Sequence, residues 1–130
     1  MLNYLTLVFV GGAVGAMLRE LLMLIVPRLA DNFPLDILAA NLVATFLLGL
    51  FTALHRRQIV SDSVNMLIGT GIMGGLSTFS SFVYGVFVLM TTSTASAIVA
   101  AVYAVISLVL GYIAVVFGLK IGSLSRARPS

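Results

Sequence analysis

From Ser63 to Leu119 the chain carries no charged residue, and in the middle of that run sits Gly71-Ile72-Met73-Gly74-Gly75-Leu76-Ser77-Thr78-Phe79-Ser80-Ser81-Phe82. An uncharged run of this length reads as two membrane spans. Glycines and hydroxyl residues packed this densely are poor material for an unbroken helix. Within lipid, a broken helix is tolerated only where its backbone is buried in protein or lines a wet cavity. Such a break inside a span is a candidate ion site.

Composition agrees with the membrane reading. Only 8% of the residues are charged and 61% are hydrophobic, whereas soluble domains carry about 25% charged residues. A small soluble protein could not cover so much apolar surface with so few charges. There is no cysteine and a single histidine, His55, so disulfides, thiolate metal sites and histidine clusters are excluded. The net charge of +3 suits a cytoplasmic membrane surface better than nucleic acid, because the basic residues are sparse. The N-terminus lacks the positive region of a signal peptide and is expected to stay as the first span.

Four spans are expected in one domain covering 1–130. They run over about 2–26, 35–54, 64–90 and 95–119. The first holds Gly11-Gly12-Ala13-Val14-Gly15, a cluster that lets another helix come close. It also holds Arg19 and Glu20. Arg19 either snorkels to the headgroups or stands as a cation at the mouth of an aqueous cavity. Glu20 reads as an interfacial residue, and adjacent helix positions need not pair. Pro27–Pro34 reads as a surface loop carrying Arg28.

In the second span Asn41, Thr45 and Gly49 share one face, as a packing seam or a pore lining. The third span as straight helix would run about 40 Å, against about 30 Å of hydrocarbon. It must tilt, protrude or break, and the break is expected at Gly74–Thr78. Thr91-Thr92-Ser93-Thr94 suits a turn and helix cap. In the fourth span Tyr103, Ser107 and Gly111 form one stripe, in which Ser107 could instead bond back to its own helix.

An even number of spans puts both termini and the second loop on one side. Arg56, Arg57, Lys120, Arg126 and Arg128 fall there, so that side is predicted to be cytoplasmic. No Walker loop, His-Glu-x-x-His or Gly-x-Ser-x-Gly is present, and no enzyme is expected. One four-helix subunit encloses little space, so an ion path calls for at least two copies. Hydroxyls, amides and the edges of Phe79 and Phe82 could face an anion, although a phenylalanine pair at helical spacing more often serves packing. Carbonyls at the break could hold a cation, and residue chemistry leaves both signs open.

Several motifs in order resemble the Fluc (CrcB-type) fluoride channel family. They are Gly11-Gly12-x-x-Gly15-x-x-x-Arg19, Leu38-Ala39-Ala40-Asn41, Phe46-Leu47-Leu48-Gly49, the Gly71–Phe82 stretch and Tyr103-x-x-x-Ser107. The resemblance implies an all-α membrane protein with four transmembrane helices, assembled as an antiparallel, dual-topology homodimer in the bacterial inner (plasma) membrane. It implies passive export of cytoplasmic fluoride through two pores. By matching positions, Asn41, Phe79, Phe82, Tyr103 and Ser107 would line the fluoride path, and Arg19 would sit at the vestibule. A structural sodium ion would be held by the backbone carbonyls of Gly74 and Ser77 from each subunit. The partners implied are fluoride, a second copy and the lipid bilayer.

This chain departs from the family pattern at three places. Ser77 replaces a threonine, Asp36-Ile37 stands where Gly-Thr is common, and Glu20 follows Arg19 where an aromatic is usual. The loop charges favour one orientation, whereas the resemblance implies both. The rival class is a proton-coupled exporter of the small multidrug-resistance type, working through Glu20. A membrane subunit that binds a larger complex is a third class, with no residue pointing to a partner.

Overall fold

The computed structural model describes residues 2–26, 33–92 and 94–125, and every described element is helical. The loop 27–32 with Arg28, Ser93 of the predicted turn, and Arg126 and Arg128 of the tail lie outside the described residues. The helices are α1 (Leu2–Ile25), α2 (Leu35–Arg56), α3 (Asp62–Asn65), α4 (Met73–Leu76), α5 (Phe79–Thr92) and α6 (Thr94–Leu124). A π-helical stretch, Met66–Ile72, joins α3 to α4. Among the described residues four helical units are long and apolar enough to cross a membrane: Asn3–Ile25, Leu35–Arg56, Asp62–Thr91 and Ala97–Leu124.

The outward surface fits lipid rather than water. Phe9, Leu24, Leu108, Tyr112 and Phe117 all stand exposed, while the buried core is small. One cluster centres on Leu38, Leu89, Ala100 and Tyr103, between α2, α5 and α6. The other joins Ala44 of α2 to Met73 and Leu76 of α4. Against lipid, burial of apolar side chains contributes little to helix association, and close backbone packing has to supply the rest.

Glycine supplies that packing along two seams. At Gly11 and Gly15 of α1, a Cβ would overlap the carbonyl oxygens of Leu67 and Ile72. Gly75 of α4 answers them, with its face against the Gly12 carbonyl. On the other side of the molecule α2 and α6 run in parallel. Gly49 packs on the Val115 carbonyl, and Gly118 packs on that of Phe46. The π-helical turn inserts where α1 lies closest, which the sequence pattern did not signal.

The third span breaks within the predicted Gly74–Thr78 stretch, at its far end. Gly74 and Gly75 remain helical in α4, and only Ser77 and Thr78 leave the helix. Ser77 adopts extended geometry at φ −76°, ψ 146°. Gly75 therefore serves close approach to α1, and the chain breaks at the first hydroxyl residues beyond that contact. The second span extends to Arg56 and the fourth to Leu124, beyond their predicted ends. At the end of α5, Thr91 bonds back to the Phe87 and Val88 carbonyls at 3.1 Å.

If α1 is held by backbone approach, Gly15→Ala should force the π-helical stretch away from it. Overpacking of this kind costs about 1–3 kcal/mol, and a clear fall in the detergent-solubilised melting temperature is expected. Gly12→Ala is the control. Its nearest foreign atom, the Gly71 carbonyl oxygen, lies 4.0 Å away, so its melting temperature should hold or rise slightly.

Candidate functional site

The break leaves backbone polar groups without their helix partners, and one side chain takes up the Thr78 N–H. Asn41 of α2 faces Thr78. Its Oδ1 accepts the Thr78 N–H at 2.9 Å, and its Nδ2 points at the Thr78 carbonyl at 3.5 Å. The amide thus stands in for a missing stretch of helix. Thr45, one turn along, donates its hydroxyl to the Asn41 carbonyl at 2.5 Å. The Thr78 hydroxyl then caps α5 by accepting the Ser81 N–H at 3.3 Å. It also lies 3.0 Å from the Ser80 hydroxyl.

These bonds have a consequence for the carbonyls. In a continuous helix the N–H of residue i+4 would serve each carbonyl. Here the Thr78 N–H turns to Asn41 instead of Gly74, and the Ser81 N–H turns to the Thr78 hydroxyl instead of Ser77. The Gly74 and Ser77 carbonyls lose those partners. Both residues line a cleft of about 120 Å³ with Ala44, Thr45, Leu48, Gly69 and Met73. Gly74 is exposed, with nothing within 4 Å of where a Cβ would stand.

Arg19 attends to a third carbonyl. Its Nη1 donates to the Gly75 oxygen at 3.4 Å, with the side chain half-buried. Its Nη2 lies 3.6 Å from Glu20 Oε1, so these neighbours on α1 do pair. The cation sits at the C-terminal end of α4, where helix carbonyls favour positive charge.

Most of the predicted path residues meet in one groove of about 260 Å³. Asn41, Phe79, Phe82 and Ser107 all line it, together with Thr45, Ser77, Thr78 and Gly111. Phe79 and Phe82 lie 6.0 Å apart between ring centroids at 34°. Phe79 is 78% exposed and projects from the subunit. Tyr103 is not on the groove wall. It is fully buried behind Phe82, ring centroids 5.7 Å apart, and meets Phe33 edge-on at 5.3 Å.

The two hydroxyls of that stripe stand out. Tyr103 Oη and Ser107 Oγ are buried without a hydrogen-bond partner among the described residues. Ser107 therefore does not bond back to its own helix. The two hydroxyls lie close to each other, and a buried hydroxyl without a full partner costs about 1–3 kcal/mol, so the pair marks a place where an outside acceptor would be welcome. Beside Tyr103's ring cluster, the first turn of α2 carries Asp36, a fully buried carboxylate. Its place was visible in the sequence only as a departure from a family pattern, and its burial was not. Among the described residues no group of three or more His, Cys, Asp or Glu could hold a metal ion.

Comparison with known proteins gives one consistent result. The profile of the family described as CrcB-like protein, Camphor Resistance (CrcB), matches residues 6–119. A relative from Brucella melitensis biotype 1, named fluoride-specific ion channel FluC 2, is 56% identical over 125 residues, or 96% of this chain. The chain spans about half of that relative, 46% of its length. Fluoride-specific ion channel FluC 3 of Yersinia pseudotuberculosis serotype I is 55% identical over 120 residues, covering 92% of this chain and 89% of its own. An Ignicoccus hospitalis relative with the name fluoride-specific ion channel FluC is 37% identical over 111 residues.

Removing the Asn41 amide should strand the Thr78 N–H, while the Thr78 carbonyl still accepts the Phe82 N–H at 3.4 Å. An orphaned buried N–H costs about 1–3 kcal/mol, so Asn41→Ala should lower the melting temperature clearly. Thr45→Val, which removes only a bond within α2, should lower it much less.

Proposed function

This chain belongs to the CrcB-like family, and on that premise we propose that it is a fluoride-selective channel that lets cytoplasmic fluoride leave passively. It is a multi-pass protein of the bacterial inner membrane and no enzyme. The observation that carries the reading is the groove. It gathers Asn41, Phe79, Phe82 and Ser107, with the buried Tyr103 hydroxyl behind Phe82.

Fluoride is small and strongly hydrated, so a path for it must replace water without trapping the ion. A full positive charge on the path would bind too well to conduct. The groove offers weaker groups. Asn41 spends one N–H on Thr78 and keeps a second for an ion. Ring edges of Phe79 and Phe82 carry partial positive charge. Past Phe82, the neighbouring Tyr103 and Ser107 hydroxyls can offer a hydrogen bond to an ion. Arg19, paired with Glu20 and a carbonyl, has its charge spread at the edge of the site. In this reading it attracts anions toward the vestibule without standing in their way.

The working unit in this proposal is an antiparallel homodimer with two pores, inserted in both orientations. Phe79 and Gly74 both face outward, which suits a partner surface closing over groove and cleft. The same packing would bring the Gly74 and Ser77 carbonyls of two copies together. Four uncharged oxygens suit a sodium ion, whose role would be to hold the two breaks in register. The exporter reading through Glu20 has no feature in its favour, since that carboxylate pairs with Arg19.

Purified protein reconstituted in liposomes should release fluoride and retain chloride. Fluoride release no faster than from protein-free vesicles would overturn the proposal. Phe79→Ala and Phe82→Ala should each reduce fluoride efflux at least tenfold in order of magnitude, with assembly preserved. Normal flux in both would remove the aromatic assignment. Exchange of sodium for a large organic cation throughout purification should weaken dimerisation or flux, and indifference to it would count against the Gly74 and Ser77 site.

A further inference from the structure

We propose that Arg56, Arg57 and Lys120 form a binding site for the phosphate of an anionic phospholipid headgroup, at the end of the α2–α6 seam. The site is separate from the groove. Its cleft, about 380 Å³, is lined by Ala53, Arg56 and Arg57 from the α2 end and by Leu119, Lys120 and Ser123 of α6. Two walls are apolar and three groups are cationic, the combination a headgroup at the membrane boundary requires.

The charges are available to a ligand. Arg57 donates to the Ser123 carbonyl and so fixes the two helix ends to each other. Arg56 and Lys120 have no hydrogen bond or ion pair from their side chains among the described residues, and both are exposed. The acid nearest in sequence to the arginines, Asp62, lies against His55, Nε2 to Oδ1 3.6 Å. That histidine is itself held by the Val60 carbonyl at 3.2 Å. Asp36 sits in the first turn of α2, at the far end of the helix.

Depth in the membrane fits the same ligand. α6 has 31 residues, about 46 Å of helix at 1.5 Å per residue. That exceeds the hydrocarbon core of about 30 Å, so one or both ends reach the headgroups. Gly122 packs against Leu50 and Ala53, which sets the last turns of α2 and α6 level with each other. Basic clefts between spans at this level recognise anionic headgroups. A merely snorkelling set of cations would attract every anionic surface but retain no single lipid.

Native mass spectrometry of the full-length protein in mild detergent tests this, with phosphatidylglycerol, phosphatidylcholine or inorganic phosphate added at equal concentration. Phosphatidylglycerol should be retained at one molecule per chain and raise the melting temperature, with phosphatidylcholine retained far less. The pair Arg56→Gln with Lys120→Gln should reduce phosphatidylglycerol retention by on the order of tenfold. The charge-preserving pair Arg56→Lys with Lys120→Arg should keep most of it, which separates lost binding from lost folding. Equal retention of the two lipids would overturn the proposal. So would undiminished retention by the neutralised pair, or displacement of the lipid by inorganic phosphate.

Discussion

A broken helix in a membrane survives only if something bonds the freed backbone, and here that is the Asn41 side chain on Thr78. The amide has one acceptor and two donors, which matches a peptide group on both sides. Neither serine nor threonine at position 41 could accept and donate across that distance in the same way. The rest of the site follows from this pairing. Once Thr78 N–H is diverted, its hydroxyl starts a new helix, and α5 sets off with Phe79 and Phe82 along the groove.

The break also separates two kinds of polar group. Upstream of it, carbonyls of α4 have lost their amide partners, and Arg19 takes one at Gly75. Downstream, the chain presents hydroxyl and aromatic donors. Acceptors gather on one side and donors on the other within a few residues. A cation and an anion could therefore be handled by neighbouring turns of one span without any buried formal charge between them. Glycine packing makes the arrangement stiff, since α1 meets the π-helical stretch and α4 backbone to backbone.

Much of the fold was legible because membrane spans are written in long uncharged runs. The four spans and a break in the third could be read in advance, and Asn41, Phe79, Phe82 and Ser107 do line one groove, their part in an ion path being the proposal. The break's position could not be read from glycine content. Gly74 and Gly75 looked like helix breakers, yet Gly75 is kept in a helix by the close approach of α1. Tyr103 shared a stripe with Ser107, but stripe membership does not say which residue stands behind a phenylalanine ring. Arg19 looked like a vestibule charge, and its bond to Gly75 depends on a contact between distant parts of the chain. The π-helical turn has no periodic signature of its own, because it is imposed by the packing around it.

Amide hydrogen exchange at Thr78 in lipid nanodiscs tests the central claim most directly. Thr78 lies outside any helix, so its amide would exchange quickly unless Asn41 holds it. Slow exchange is expected in the unaltered protein, comparable to that of the α5 interior, and fast exchange at Thr78 in Asn41→Ala while the α5 interior stays protected. Rapid exchange at Thr78 with Asn41 in place, or no change on its removal, would contradict it.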